Sequence, residues 1–249
     1  MHIATILPAA NLNLEAESEY HLCLAHLLSN RVYRKFFWKK AKEGKYVIMD
    51  NGVVETGFPK DIEKLFNLAR SIGVNEMILP DMLYNTQSTI DLGRNALKFA
   101  STRHDFRCNF MAVPQGKTPE QWAACVREML TWPVRCIGIS RFLVPTVFES
   151  RKKALEAVPE LINSDKEIHL LGCPNDPAEI AEANLAFPGR IRGTDSGVAA
   201  MFTQVNLRMG ECDKPKVDLE FFDSDLDQDL LEENVTWWKN RCLKGAGNE

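Results

Sequence analysis

Residues 193–199 read GTDSGVA, an Asp flanked by small residues where an apolar run gives way to a segment suited to a helix. An Asp there can cap the helix by accepting hydrogen bonds from its first free N–H groups, and alone it needs no other role. The arrangement recurs, however. Polar or small residues follow apolar runs at Asp50-Asn51-Gly52, Pro80-Asp81, Pro114-Gln115-Gly116, Gly138-Ile139-Ser140, Gly172-Cys173-Pro174 and Thr194-Asp195-Ser196-Gly197. Glycine lets a flat ligand approach the backbone, while Asp and Gln read polar edges. Two carboxylates suit chemistry at a sugar anomeric carbon. One attacks to form a covalent glycosyl intermediate, and the other carries the proton of the leaving and entering groups. A third can accept hydrogen bonds from a donor-rich base edge, with Gln115 as its neutral partner. A carboxylate trio could equally hold Mg²⁺.

These residues meet only if the elements beneath them bring their strand ends together. The runs HIATILP (2–8), YVIMD (46–50), EMILPD (76–81), NFMAVPQ (109–115), CIGIS (136–140), EIHLLGC (167–173) and RIRGTD (190–195) read as strands. Segments 59–73, 86–101, 118–133, 149–164 and 176–187 place apolar residues at i, i+3, i+4 and i+7, the helical period. Pro119 and Pro177 fall where the first helical residue is expected. Apolar strands alternating with amphipathic helices imply a parallel sheet covered by helices. At least seven repeats favour a closed α/β barrel of the (β/α)8 TIM type, whose site lies at the carboxyl ends of the strands. The eighth strand has one candidate, VDLEFF (217–222). The expected organisation is one barrel domain over residues 1–249. Its closing parts are the acidic segment 211–233 and a carboxy-terminal helix with Trp237 and Trp238 turned inward. No G-x-G-x-x-G follows a strand, which argues against a dinucleotide fold.

The amino-terminal run lacks a basic leader and is broken by Pro8, and no window holds the roughly 18 apolar residues of a membrane span. A cytoplasmic location and no membrane association are expected. The seven cysteines are scattered without C-x-x-C spacing, so reduced, mostly buried thiols are expected, with no metal site and no cofactor. The formal net charge of −4 conceals an uneven distribution. Residues 211–233 hold ten acids and two lysines, leaving the rest of the chain at about +4. Residues 31–42 (RVYRKFFWKKAK) carry six basic residues interleaved with aromatics. They are either a solvated helix face or a phosphate-contacting patch of Arg31, Arg34, Lys35, Lys39 and Lys40, joined by Arg141 after the CIGIS strand. Cys173 and His169 read as buried core residues.

Taken in order, the motifs resemble the tRNA-guanine transglycosylases, a superfamily that exchanges guanine for a 7-deazaguanine. LPDM (79–82) resembles the strand ending in the base-reading Asp, and VPQG (113–116) resembles the V-Q-G motif whose Gln contacts the base. IGIS (137–140) resembles the G-G-L strand end. IHLLGCPND (168–176) matches the Y-L-M-G-V-G-x-P-x-D segment, and GTDSGVA sits where the nucleophile lies. The resemblance covers roughly residues 46–200. It implies a pentosyltransferase that proceeds through a covalent sugar–Asp195 intermediate. It also implies base contacts from Asp81, Gln115, Asn51, Gly138, Ser140 and Gly172, and an acid/base role for Asp50.

Two departures refine this. The zinc-binding C-x-C-x-x-C…H module is missing, and the usual D-S-G-G turn and later acid/base Asp are compressed into a stretch whose acids are Asp50, Glu55 and Asp61. Asp50 or another acid could therefore hold the acid/base role. A short, zinc-less chain is similar to the branch found in phages and mobile elements, which inserts 7-deazaguanines such as preQ0 into DNA and so evades restriction. The implied partners are nucleic acid, DNA ahead of tRNA, and a 7-deazaguanine base. A barrel glycosidase releasing free base and a catalytically silent nucleic-acid-binding subunit are the competing readings.

Overall fold

Eight short apolar segments pair side by side in one direction, and the helices between them cover the outside. This computed structural model describes the 249 residues except 59, 104–105, 174–175, 214, 216–221, 223 and 245–249. The elements in chain order are β1 (His2–Thr5), β2 (Tyr20–Leu24), α1 (Arg31–Lys42), β3 (Tyr46–Asp50), α2 (Val53–Thr56), α3 (Ile62–Ile72), β4 (Glu76–Ile78) and α4 (Thr86–Ser101). There follow β5 (Asn109–Ala112), α5 (Pro119–Leu130), β6 (Cys136–Ser140), α6 (Arg151–Glu156), α7 (Pro159–Ile162), β7 (Glu167–Leu171), α8 (Ala178–Ala186), β8 (Ile191–Ser196), α9 (Val198–Gln204) and α10 (Gln228–Lys244). All ladders are parallel in the order β1-β8-β7-β6-β5-β4-β3-β2. β1 and β2 also lie side by side, so the sheet is a nearly closed (β/α)8 TIM-type barrel.

The strand that completes the set of eight is β2, which the periodicity did not reveal. Its predecessor is a short 3-10 segment, Ala9–Glu15, in place of an amphipathic α-helix, so the strand–helix repeat is not visible there. The alternative at 217–222 lies outside the described residues except for Phe222. Helix 149–164 is two helices, because Pro159 lacks an N–H and drives Val158 out of helical geometry (φ −134°, ψ 74°). Pro119 is the first residue of α5 after the cap Thr118, whereas Pro177 sits one position earlier, at the N-cap of α8. Asn30, Asp61 and Asn85 cap α1, α3 and α4 through side-chain acceptors. In α10, Trp238 is fully buried while Trp237 is half-buried.

Apolar side chains make up most of both layers of the core. Met49, Met77, Ile137, Ile139 and Leu170 fill the strands, and Trp122, Val126, Leu155, Ile180 and Trp238 seal the helices against them. The amino end of the barrel interior is charged. Arg192 of β8 reaches across to Glu76 of β4 (2.5 Å) and to Glu167 of β7 (2.7 Å), beside Tyr20 and Tyr46. No disulfide forms among the described residues, and five of the seven cysteines, including Cys173, are buried. No helix among the described residues is long and apolar enough to cross a membrane.

Candidate active site

Parallel strands put all their carboxyl ends on one rim, and a cavity of about 170 Å³ opens there. That exceeds the roughly 150 Å³ of an apolar cavity able to hold a benzene ring, so there is room for a flat ring system. Asp50, Asn51, Asp81, Gln115, Ser140, Arg141, Gly172 and Asp195 all line it. Val113, Leu171, Phe142 and Met201 supply apolar walls. Gly138 does not line the cavity. Leu171, Met111 and Val113 occupy the space beside it, and a Cβ there would lie 2.7 Å from Leu171 Cδ1, so this glycine serves strand packing.

Asp195 is not the cap of the helix that follows it. The Ser196 hydroxyl accepts the Val198 N–H (3.0 Å), and the side chain of Thr194 donates to Leu170 O. The buried Asp195 carboxylate is instead held by His169 Nε2 (2.9 Å) and by the Gly172 N–H (3.3 Å), both on Oδ1. Burial lowers the pKa of His169, so the ring is neutral; Nε2–H donates to Asp195 and Nδ1 accepts the Tyr20 hydroxyl (2.9 Å). Burial raises Tyr20, which keeps its proton, and Arg192 Nε–H donates to its oxygen (3.1 Å). Gly193 is small for Tyr20, whose ring atoms would lie 3.0 Å from an added Cβ. The chain Arg192–Tyr20–His169–Asp195 thus fixes both the tautomer and the carboxylate orientation. In the sequence His169 reads only as a core residue and Tyr20 carries no signal, since the two are distant in the chain and meet only through β2 and β7.

Asp81 faces the cavity from beyond β4, between two amides. Asn51 Nδ2 donates to Oδ1 (2.7 Å) and Gln115 Nε2 to Oδ2 (2.6 Å). The amide orientations are set from behind, because Val53 N–H donates to Asn51 Oδ1 and Tyr84 N–H to Gln115 Oε1. Burial pushes the Asp81 carboxyl up to about 6, opposed by these two donors. Each oxygen keeps a lone pair for a further donor.

Asp50 ends β3, and its Oδ2 accepts the Gly52 N–H (3.0 Å). Burial raises its pKa well above the usual carboxylate range; the charge of Glu55 adds to this, with smaller contributions from Asp195 and Asp81. Glu55 also lines the cavity. Arg141 lies across Gly172, where a Cβ would fall 2.7 Å from its Cδ, and its guanidinium stacks on Phe142. It makes no ion pair among the described residues and lines the cavity.

The basic stretch 31–42 divides along α1, which descends from the rim to the amino end of the barrel. Arg31, Arg34 and Lys35 are exposed on its upper half. Lys40 is buried, donating to Ala16 O (2.6 Å) and pairing with Glu43 (2.7 Å), so its ammonium is engaged within the protein, unlike those of the exposed basic residues. Lys39 pairs with Glu43 in the last turn, at the end of the barrel opposite the cavity. Fold and cavity together define an α/β barrel with an acidic pocket at its carboxyl rim. Compared with models of protein families and with curated proteins, the chain matches none.

Proposed function

We propose that the protein is a base-exchange transglycosylase that replaces guanine in nucleic acid, DNA ahead of tRNA, with a 7-deazaguanine through a covalent sugar–Asp195 intermediate. The observation that carries this reading is the pairing, in one cavity, of a carboxylate oriented from behind with a carboxylate clamped between two amides. Asp195 attacks C1′ as the base departs. Asp81 accepts the ring N–H and exocyclic amine of guanine, flanked by Gln115 and Asn51, and Arg141 takes a phosphate of the substrate strand. The test is to supply a 7-deazaguanine with guanine-containing DNA or tRNA and to follow the nucleosides by mass spectrometry. Exchange into DNA supports the reading in full; release of free guanine without exchange makes the protein a glycosidase.

Recognition by Asp81 carries a pH signature. Only the ionised carboxylate accepts two donors, and Asp81 holds its proton below about 6. Affinity for free guanine is therefore expected to rise as pH increases through about 6 and to level off above it. Asp81→Asn should flatten that profile and cost about 1.5–3 kcal/mol at neutral pH. Calorimetric titration of guanine between pH 5 and 8 checks both; an unchanged profile in Asp81→Asn removes the base-reading role.

Nucleic-acid affinity is expected to depend on the upper half of α1. Reversing Arg31, Arg34 and Lys35 to Glu should weaken binding to all sequences alike. The log–log salt slope should become shallower by about 0.9 for each phosphate that the protein no longer neutralises. Lys39→Glu, at the far end, should leave both unchanged. Anisotropy titrations at several salt concentrations separate these outcomes.

A further inference from the structure

Asp50 and Glu55 line the cavity beside Asp81 and Asp195, and their environments differ. Asp50 has one oxygen engaged by the Gly52 N–H, in a short turn that shapes the end of β3. Glu55 belongs to α2, a single helical turn bounded by Gly52 (φ 76°) and Gly57 (φ 73°). Both glycines are left-handed, a conformation that costs other residues strain. The turn they bound returns the Glu55 side chain to the cavity wall. There its Oε2 is shielded from solvent and has no hydrogen-bond partner among the described residues. His26 Nδ1 lies 3.8 Å from it and is also buried without a hydrogen-bond partner. Two shielded, unpartnered polar atoms facing each other are costly unless a proton or ligand group is shared there at some stage.

We propose that Glu55, backed by His26, is the acid–base that carries the proton of the departing and entering bases, and that Asp50 is a positioning neighbour that shapes the end of β3 and transfers no proton. This rests on the glycosyl-transfer reading above. Burial raises Glu55 and its own backbone N–H opposes this; the charge of Asp195 raises it further, while Arg141 and Lys60 lower it. Burial, and then the Lys60 charge, lowers His26, so its ring is neutral and can accept a hydrogen bond from the Glu55 carboxylic acid after a small approach. In the first half-reaction an Asp195 oxygen bonds to C1′, the C1′–N9 bond breaks, and the Glu55 proton passes to the departing base nitrogen. Glu55 is left as carboxylate. In the second half, Glu55 takes the N–H proton of the incoming base, that nitrogen bonds to C1′, and the C1′–Asp195 bond breaks. The proton is recovered, so no co-reactant is needed.

The leaving group supplies the test. A guanine methylated at N7 departs as a neutral molecule without protonation, so a missing general acid does not slow it. Adduct formation is measured in single turnovers with oligonucleotides carrying one guanine or one N7-methylguanine. Glu55→Gln is expected to lose about 10²–10⁴-fold on guanine and less than about tenfold on N7-methylguanine. Asp50→Asn should lose equally on both. Equal loss, or no loss, on the two substrates in Glu55→Gln overturns the proposal, as does selective loss in Asp50→Asn. If Glu55→Gln does not fold, Glu55→Asp carries the same comparison, with a smaller selective loss expected. Failure of the wild-type protein to form an adduct with either substrate would instead refute the transglycosylase reading itself.

Discussion

Asp195→Asn is expected to bind nucleic acid as the wild type does and to lose base exchange by at least about 10⁴-fold. The substitution is nearly isosteric. Its carbonyl oxygen still accepts from His169 Nε2–H and from the Gly172 N–H, so the barrel and the orienting chain from Arg192 through Tyr20 stay intact. What disappears is the anionic oxygen that bonds to C1′ in the proposed reaction. Because that bond exists only along the reaction path, the loss should appear in turnover and leave substrate affinity unaltered. Denaturing gels of protein mixed with a guanine-containing oligonucleotide check it directly. The wild-type protein should show a covalent adduct mapping to residues 191–200, and Asp195→Asn should show none. Full activity in the variant, or an adduct elsewhere, returns Asp195 to a structural role.

Glu76→Ala is expected to destabilise the protein by about 3–5 kcal/mol. Glu76 is fully buried and Arg192 nearly so, and their pair spans the barrel interior between β4 and β8. Removing the carboxylate leaves Glu167 as the ion-pair partner of the guanidinium, and Arg135 already engages both oxygens of Glu167. In a chain of this length the loss corresponds to a melting temperature lower by on the order of 10 °C. Replacing both partners, Glu76→Met with Arg192→Met, should cost much less, since no uncompensated charge is then buried and Glu167 retains Arg135. Thermal melts of the single and double variants measure the difference; equal losses would mean that the pair contributes through packing alone.

The rim residues were legible in the sequence because strand ends and helix starts alternate with a clear change of period. Asp50, Asp81, Gln115 and Asp195 each follow an apolar run, and in a parallel barrel that position alone brings them to one end. The α4 boundaries, 86–101, were equally legible from the apolar period, and the structure adds the Asn85 cap. Side-chain direction within an element was less so. Lys40 belongs to a run of basic residues in the sequence, yet the helical period turns it against Ala16 and Glu43, while Arg34 and Lys35 face solvent. Gly138 has the composition of a ligand-approach glycine, but neighbouring strands fill its space.

The amino-acid sequence by itself determined the parallel barrel and the set of carboxylates at its mouth, because both follow from local period and from the order of elements. Contacts between residues far apart in the chain were decided by the tertiary structure. β2 is a strand because β3 offers it a ladder, not because a helix precedes it. His169 orients Asp195 because β7 and β8 are neighbours, and Tyr20, 149 positions away, completes that line from β2. Glu55 enters the cavity because two left-handed glycines turn a short helix back on its strand. A hydrogen bond constrains two side chains without leaving any period in the chain, so only the folded arrangement could assign these partners.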